Sequence, residues 1–126
     1  EHLVPPTLTK AQTSFVYASE ADLLNVALFG KTAADWRKEN PKLSGNLRDH
    51  ATLEQLVVLS NLESLNSVLI QQRLPAAERL VQLNAIAIVQ MRSLLSSMTV
   101  KQLAAGQQGS STPLPGRATT KKGKRK

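Results

Sequence analysis

Cysteine is absent from this chain, which excludes a disulfide framework, a thiol nucleophile and a thiolate metal site. Aromatic residues make up only 3%, too few for an aromatic-rich barrel or a sheet that stacks RNA bases. No apolar run approaches the roughly 20 residues of a membrane-spanning helix. The longest clean stretch is Ala85-Ile86-Ala87-Ile88-Val89. No basic region followed by an apolar one opens the chain, so nothing reads as a signal peptide, and a cytoplasmic setting is expected. The first residue is Glu1, not methionine, which sets the expectation of a processed product or a fragment. What remains is a chain of 126 residues, 41% apolar and 20% charged, with room for one cored domain and a tail.

The net charge of +7 suggests an acidic partner such as nucleic acid, but its distribution weakens that reading. Up to Ala105, ten basic residues face nine acidic ones. From Gly106 onward there are Arg117, Lys121, Lys122, Lys124, Arg125 and Lys126, and no acid. The charge therefore belongs to a tail. Residues 105–126, rich in Gly, Ser, Thr, Pro and Lys, cannot repay the entropy of ordering and are expected to be disordered.

Turn and cap signals divide the rest. Val4-Pro5-Pro6-Thr7 is a stiff extended entry within an entry segment, residues 1–18. Thr9, with Gln12 at the reciprocal position, suits the start of a short helix carrying Phe15, Val16 and Tyr17, although a strand over 14–18 fits almost as well. Ser19 caps a helix of about 20–29 ended by Gly30, and Thr32 caps one of about 33–39 ended before Pro41. A polar loop, 42–49, leads to Thr52 and a helix of about 53–73. Pro75 then opens a last helix, about 75–103. The expected fold is all-α: short N-terminal helices packed on a long antiparallel helical hairpin, the helical domain spanning 19–104, with a disordered basic C-terminal tail.

The hairpin is the informative part. Val58, Leu62, Leu65 and Leu69 recur at helical spacing, as do Leu80, Leu83, Ala87, Met91, Leu94 and Met98, and these form the facing seams. More apolar residues remain than one seam uses: Leu53, Leu56, Val57, Leu59, Val68 and Ile70 on the first helix, and Val81, Ile86, Ile88, Val89 and Leu95 on the second. Each left wet loses roughly 1.5–3 kcal/mol relative to burial. Residues 15–36 can cover one flank, and a second copy or a missing domain the other. Trp36, Leu56, Leu59, Val68, Ile86 and Val89 are the candidate packing and partner-interface residues, with Trp36 expected against Leu28 and Phe29. Asn61, Asn66 and Asn84 interrupt the apolar stripes, either as register-setting groups or as solvated positions.

Catalytic chemistry finds little support. Asp49-His50 is the one acid–histidine neighbourhood, but adjacent residues seldom point at each other as a general base requires, and no nucleophile stands nearby. His2 is far away, and no carboxylate cluster accompanies either histidine, so no metal site is expected. Gly30-Lys31-Thr32 has the ending of a phosphate loop, but Asn25 occupies the position of its first glycine. No cofactor and no small-molecule substrate are expected. The tail run Lys121-Lys122-Gly123-Lys124-Arg125-Lys126 can meet phosphates through counterion release, without aromatics for base stacking.

Several ordered blocks have a recognisable pattern: Glu20-Ala21-Asp22-Leu23-Leu24-Asn25-Val26-Ala27-Leu28-Phe29-Gly30-Lys31-Thr32-Ala33, Trp36-Arg37, Asn46-Leu47-Arg48-Asp49, Ala51-Thr52-Leu53-Glu54-Gln55-Leu56, Leu59-Ser60-Asn61-Leu62-Glu63-Ser64-Leu65-Asn66, Glu78-Arg79-Leu80 and Gln90-Met91. Over about residues 1–98 the chain resembles the C-terminal region of KilA-N domain proteins of bacteria and their phages. The resemblance implies that a KilA-N domain, the presumed DNA-binding part of such phage-type regulators, precedes this segment, so no DNA-contact residue carries over. The sequence departs from the pattern at His50, where a tyrosine is expected, and at Arg73, where the helix–helix turn has glycine. The resulting expectation is a non-catalytic assembly or partner-binding module, whose partner is a second copy or the KilA-N domain. The alternative is a free-standing basic protein that binds nucleic acid, DNA included, through its Lys/Arg tail.

Overall fold

Side chains able to cap orphan backbone N–H groups stand before four helices in succession. Thr9, Ser19, Thr32 and Thr52 accept hydrogen bonds from the backbone N–H groups of Gln12, Asp22, Asp35 and Gln55, respectively. At three of them, Thr9, Thr32 and Thr52, the side chain three residues on returns the bond to the cap N–H. The computed structural model, which describes the backbone of residues 3–111 and the side chains of residues 3–97, accordingly shows α1 (Lys10–Ser14), α2 (Glu20–Phe29), α3 (Ala33–Glu39), α4 (Leu53–Gln71) and α5 (Ala76–Ser111), with a 3₁₀ turn at Leu47–His50. Among the described residues every regular element is helical. None of these helices is long and apolar enough to cross a membrane.

Three local outcomes differ from the sequence reading. Phe15, Val16 and Tyr17 lie beyond α1, which stops at Ser14, and Phe15 is extended. Bulky and β-branched side chains lose rotamer freedom in a helix. The Tyr17 hydroxyl instead donates to the Gln12 carbonyl at 2.7 Å and satisfies one of the last carbonyls of α1. The polar loop ends in a turn of 3₁₀ helix because Asn46 accepts from the N–H groups of Arg48 and Asp49. Finally, α5 continues past 103 to Ser111. No proline intervenes before Pro113, and a nucleated helix tolerates glycine at about 1 kcal/mol each. The tail expected from residue 105 thus begins with helix, and residues 112–126 lie outside the described residues.

The chain divides into a unit of residues 1–94 and a second of residues 95–126. The first holds the core. Val58 and Leu62 of α4 and Leu80, Leu83, Ala87 and Met91 of α5 are buried as the seam spacing requires. Asn61 pairs with Gln90 and Asn66 with Arg79, so α4 and α5 run antiparallel. Leu23, Leu24, Val26, Ala27 and Leu28 place α2 over one flank of the hairpin and bury Leu59 beneath it. Leu28, Leu62, Leu80, Leu83 and Val58 are the largest side chains withdrawn completely from solvent.

The N-terminal strap closes this layer. Val4 is buried, and the Gln55 side-chain amide donates to the Leu3 carbonyl at 2.8 Å. The Asn84 amide donates to the carbonyls of Pro5, at 3.2 Å, and Ala27, at 2.9 Å. Gly30, at φ 79°, ends α2 in the left-handed conformation directly against Pro5.

The α4–α5 turn has the two reversed hydrogen bonds of a Schellman motif: Arg73 N–H to the Ile70 carbonyl and Leu74 N–H to the Leu69 carbonyl. The motif puts Arg73 at φ 64°, a conformation that glycine adopts without a Cβ penalty. Arg73→Gly is therefore expected to raise unfolding stability by about 0.5–1 kcal/mol, read by urea denaturation followed by circular dichroism. No gain, or a loss, would show that the turn is not strained.

Candidate functional site

Sequence reasoning missed the most heavily bonded polar group of the fold. Arg79, 7% exposed, sits at the start of α5 next to the seam residue Leu80. Its Nη1 donates to Glu20 Oε1 at 2.6 Å and to Asn66 Oδ1 at 2.9 Å; its Nη2 donates to Glu20 Oε2 at 3.2 Å. Its Nε donates to the Leu74 carbonyl at 3.0 Å. Asn66 completes the circuit by donating to Glu20 Oε1 at 2.9 Å. One guanidinium thereby joins α2, α4, α5 and the intervening turn, and its charge is matched where water is scarce. The available signal was a pair of polar residues, Asn66 and Arg79, embedded in apolar seams. Of the three asparagines singled out from the sequence, Asn66 and Asn84 are buried and bonded, while Asn61 is exposed and pairs with Gln90 at 3.1 Å.

Trp36 is buried but does not join Leu28 and Phe29 in the contiguous core. It forms a separate cluster with the 3₁₀ turn. The His50 ring lies 5.0 Å from it, and the Arg37 guanidinium 4.8 Å over its face. Arg37 also donates to the carbonyls of Asn40, Leu43 and Gly45, gathering the loop under the indole. Sequence proximity favoured Leu28 and Phe29. The cap at Asn46, which brings His50 back over Trp36, was not anticipated.

That arrangement also separates the acid–histidine neighbours. An Asp49 carboxylate oxygen accepts from the Asn46 N–H at 2.9 Å. His50 Nε2 donates to the Ser44 carbonyl oxygen at 2.8 Å, so the ring is oriented by the loop and not by Asp49. Gly30, Lys31 and Thr32 likewise have local duties. Gly30 ends α2, Thr32 caps α3, and Lys31 pairs with Glu39 at 2.6 Å. Among the described residues no three His, Asp or Glu side chains gather as a metal site. His2 lies outside them, as do Arg117, Lys121, Lys122, Lys124, Arg125 and Lys126.

The remaining candidates are surface features. Leu59 is buried under α2, and Ile86 is half-buried against the core; with Trp36, both serve packing within the chain. Leu56, Val68 and Val89 are exposed. So are Leu53, Val57 and Val81. Leu53, Val57 and Val68 are separated by four and eleven residues, close to whole helical turns, and share one face of α4. Val81, Ala85 and Val89 repeat every fourth residue along α5. A cleft of about 480 Å³ opens separately between the Phe15–Ala18 segment and the ends of α2 and α3. Burial, and secondarily the charge of Asp35, push the Tyr17 phenol there above its usual value.

The Glu20 carboxyl is held below its ordinary value of 4.5, first by the hydrogen bonds from Arg79, against the opposing effect of partial burial, and with help from Asn66. A depressed acid favours the folded state when ionised. That contribution is complete above the ordinary value and fades as pH falls through the lowered one. Glu20→Gln should therefore lower stability at pH 7, by about 1 kcal/mol with its half-exposed carboxylate, and leave a smaller difference from wild type at pH 3. Urea midpoints at the two pH values measure this, and an equal deficit at both would refute the ion pair's role.

No protein-family model, no curated protein and no solved structure matches the chain.

Proposed function

We propose that this chain is the C-terminal assembly and partner-binding module of a KilA-N-type DNA-binding regulatory protein, and that it works by apolar helix packing without catalysis. The observation that carries the reading is the apolar surface of the hairpin that the fold leaves uncovered. Covering one flank with α2 leaves Leu53 71%, Val89 61% and Val68 48% exposed. Burying an aliphatic side chain of this size contributes roughly 1.5–3 kcal/mol, so a few such residues suffice for a stable contact. A face of this kind marks an interaction surface on a folded chain. The blocks that carry the resemblance run through the residues that build the support: Glu20 and Arg79 in the partly buried ion pair, and Trp36, Arg37 and Asn46 in the satellite cluster. The occupant favoured here is a second copy, which would place two DNA-binding domains in one assembly.

Size-exclusion chromatography with light scattering over a dilution series tests the assembly. Wild type should show a concentration-dependent dimer or larger species. Val57→Glu combined with Val68→Glu should give a monomer with unchanged helicity, since both positions are exposed. A folded wild-type monomer at high concentration would count against self-association.

A second reading has its own support in the tail, six basic residues without an acid. On this reading the chain binds nucleic acid nonspecifically. Affinity should then fall steeply with salt, and replacing the six by glutamine should abolish it. Binding that survived the replacement would move the site to the helical body.

A further inference from the structure

The exposed face of α4 is a second seam. Leu53, Val57, Ser60, Ser64, Ser67 and Gln71 follow steps of 4, 3, 4, 3 and 4, and every one of them is exposed. Leu62, two residues from both Ser60 and Ser64, is completely buried, so this seam points away from the core. Its apolar members are unevenly placed. Leu53 and Val57 stand in the first half of α4, and Val68, 48% exposed, borders the seam in the second half. Serines fill the middle.

The charges around the seam have a direction. The seam itself carries none. Glu63, beside it, already pairs with Arg48 at 3.5 Å. Glu54, in the first turn of α4, and Arg73, in the turn that follows the helix, make no ion pair among the described residues. One end of α4 therefore holds an unpaired acid and the other an unpaired base. Two copies laid parallel set acid beside acid and base beside base. Two copies laid antiparallel set each beside its opposite and also oppose the helix dipoles.

An antiparallel pair with its two-fold axis level with Leu62 returns the seam to itself. Leu53 then stands level with Gln71 of the second copy, and Ser60 with Ser64. Val57 and Val68, eleven residues apart, lie on the same side of the seam, because eleven residues are close to three whole turns. A two-fold axis brings that side against itself, so Val57 of each copy meets Val68 of the other. Between the two valine contacts, serines at the crossing point let the helices approach closely.

We propose that two copies of this chain associate through an antiparallel α4–α4 contact, with Val57 of each copy against Val68 of the other and Ser60 against Ser64. The inference rests on the assembly reading and deepens it by naming the contact. Such a contact is isologous, so association closes at a dimer.

The test uses the full chain and reads the dimer dissociation constant by sedimentation equilibrium, with helicity by circular dichroism as the control for folding. Both valines are exposed, so helicity should stay unchanged in every variant. Val57→Glu alone and Val68→Lys alone should each weaken the dimer by about tenfold or more. The two substitutions on one chain should restore it to within about threefold of wild type, because each glutamate then meets a lysine of the other copy. In a parallel pair the same double variant sets like charges together and stays weak. Spin labels on Leu53→Cys, in a chain with no other cysteine, measure the orientation directly. Their separation should be roughly 27 Å, the length of α4, in the antiparallel pair and far shorter in a parallel one. A wild-type dimer that both single variants leave intact, that the double variant does not restore, or that brings the Leu53→Cys labels together would overturn this contact and leave the assembly reading standing. A folded monomer at every concentration would overturn both.

Discussion

Two helices that are apolar on more than one face cannot stand in water as a bare hairpin. Val58, Leu62, Leu80, Leu83 and Ala87 bury one another, and this accounts for only part of the apolar surface. The rest forces the remaining architecture. α2 is apolar through Leu23–Leu28 and lies over the flank containing Leu59. The strap at Leu3–Pro5 then closes the layer and is held by amides from both long helices. These additions cover part of the surplus, and Leu53, Val68 and Val89 remain in solvent. The apolar surface left exposed is thus a consequence of the same surplus that builds the core.

Apolar burial does not by itself choose one arrangement. Leucine-rich faces slide and rotate at little cost, whereas a buried polar group is satisfied in few positions. Arg79 must meet Glu20, Asn66 and the Leu74 carbonyl together, which sets the height of α5 against α4 and the approach of α2. Asn84 must meet two carbonyls from two other segments. The Trp36 cluster does the same locally: Arg37 collects three loop carbonyls and the cap at Asn46 returns His50 to the indole.

The cleft and the hairpin face are separate surfaces with different chemistry. One is aliphatic and uncharged over most of α4. The other is small and is lined by Phe15, Tyr17, Asp22 and Asp35 among others.

Much of this was legible locally. Caps at Thr9, Ser19, Thr32 and Thr52, the stop at Gly30 and the seam spacing are short-range patterns, because a capping bond or a helical turn spans three or four residues. The all-α class and the hairpin follow from them. The break after Ser14 was not legible, since Phe15–Tyr17 fits helix or strand and the choice rests on Tyr17 reaching back to Gln12. Which apolar residues stay wet, where Trp36 packs, and the meeting of Glu20 with Arg79 across 59 residues were decided by tertiary structure alone. Periodicity reports which face of a helix is apolar, but not which neighbour arrives to cover it. That depends on contacts distant in sequence, whose geometry no local spacing encodes.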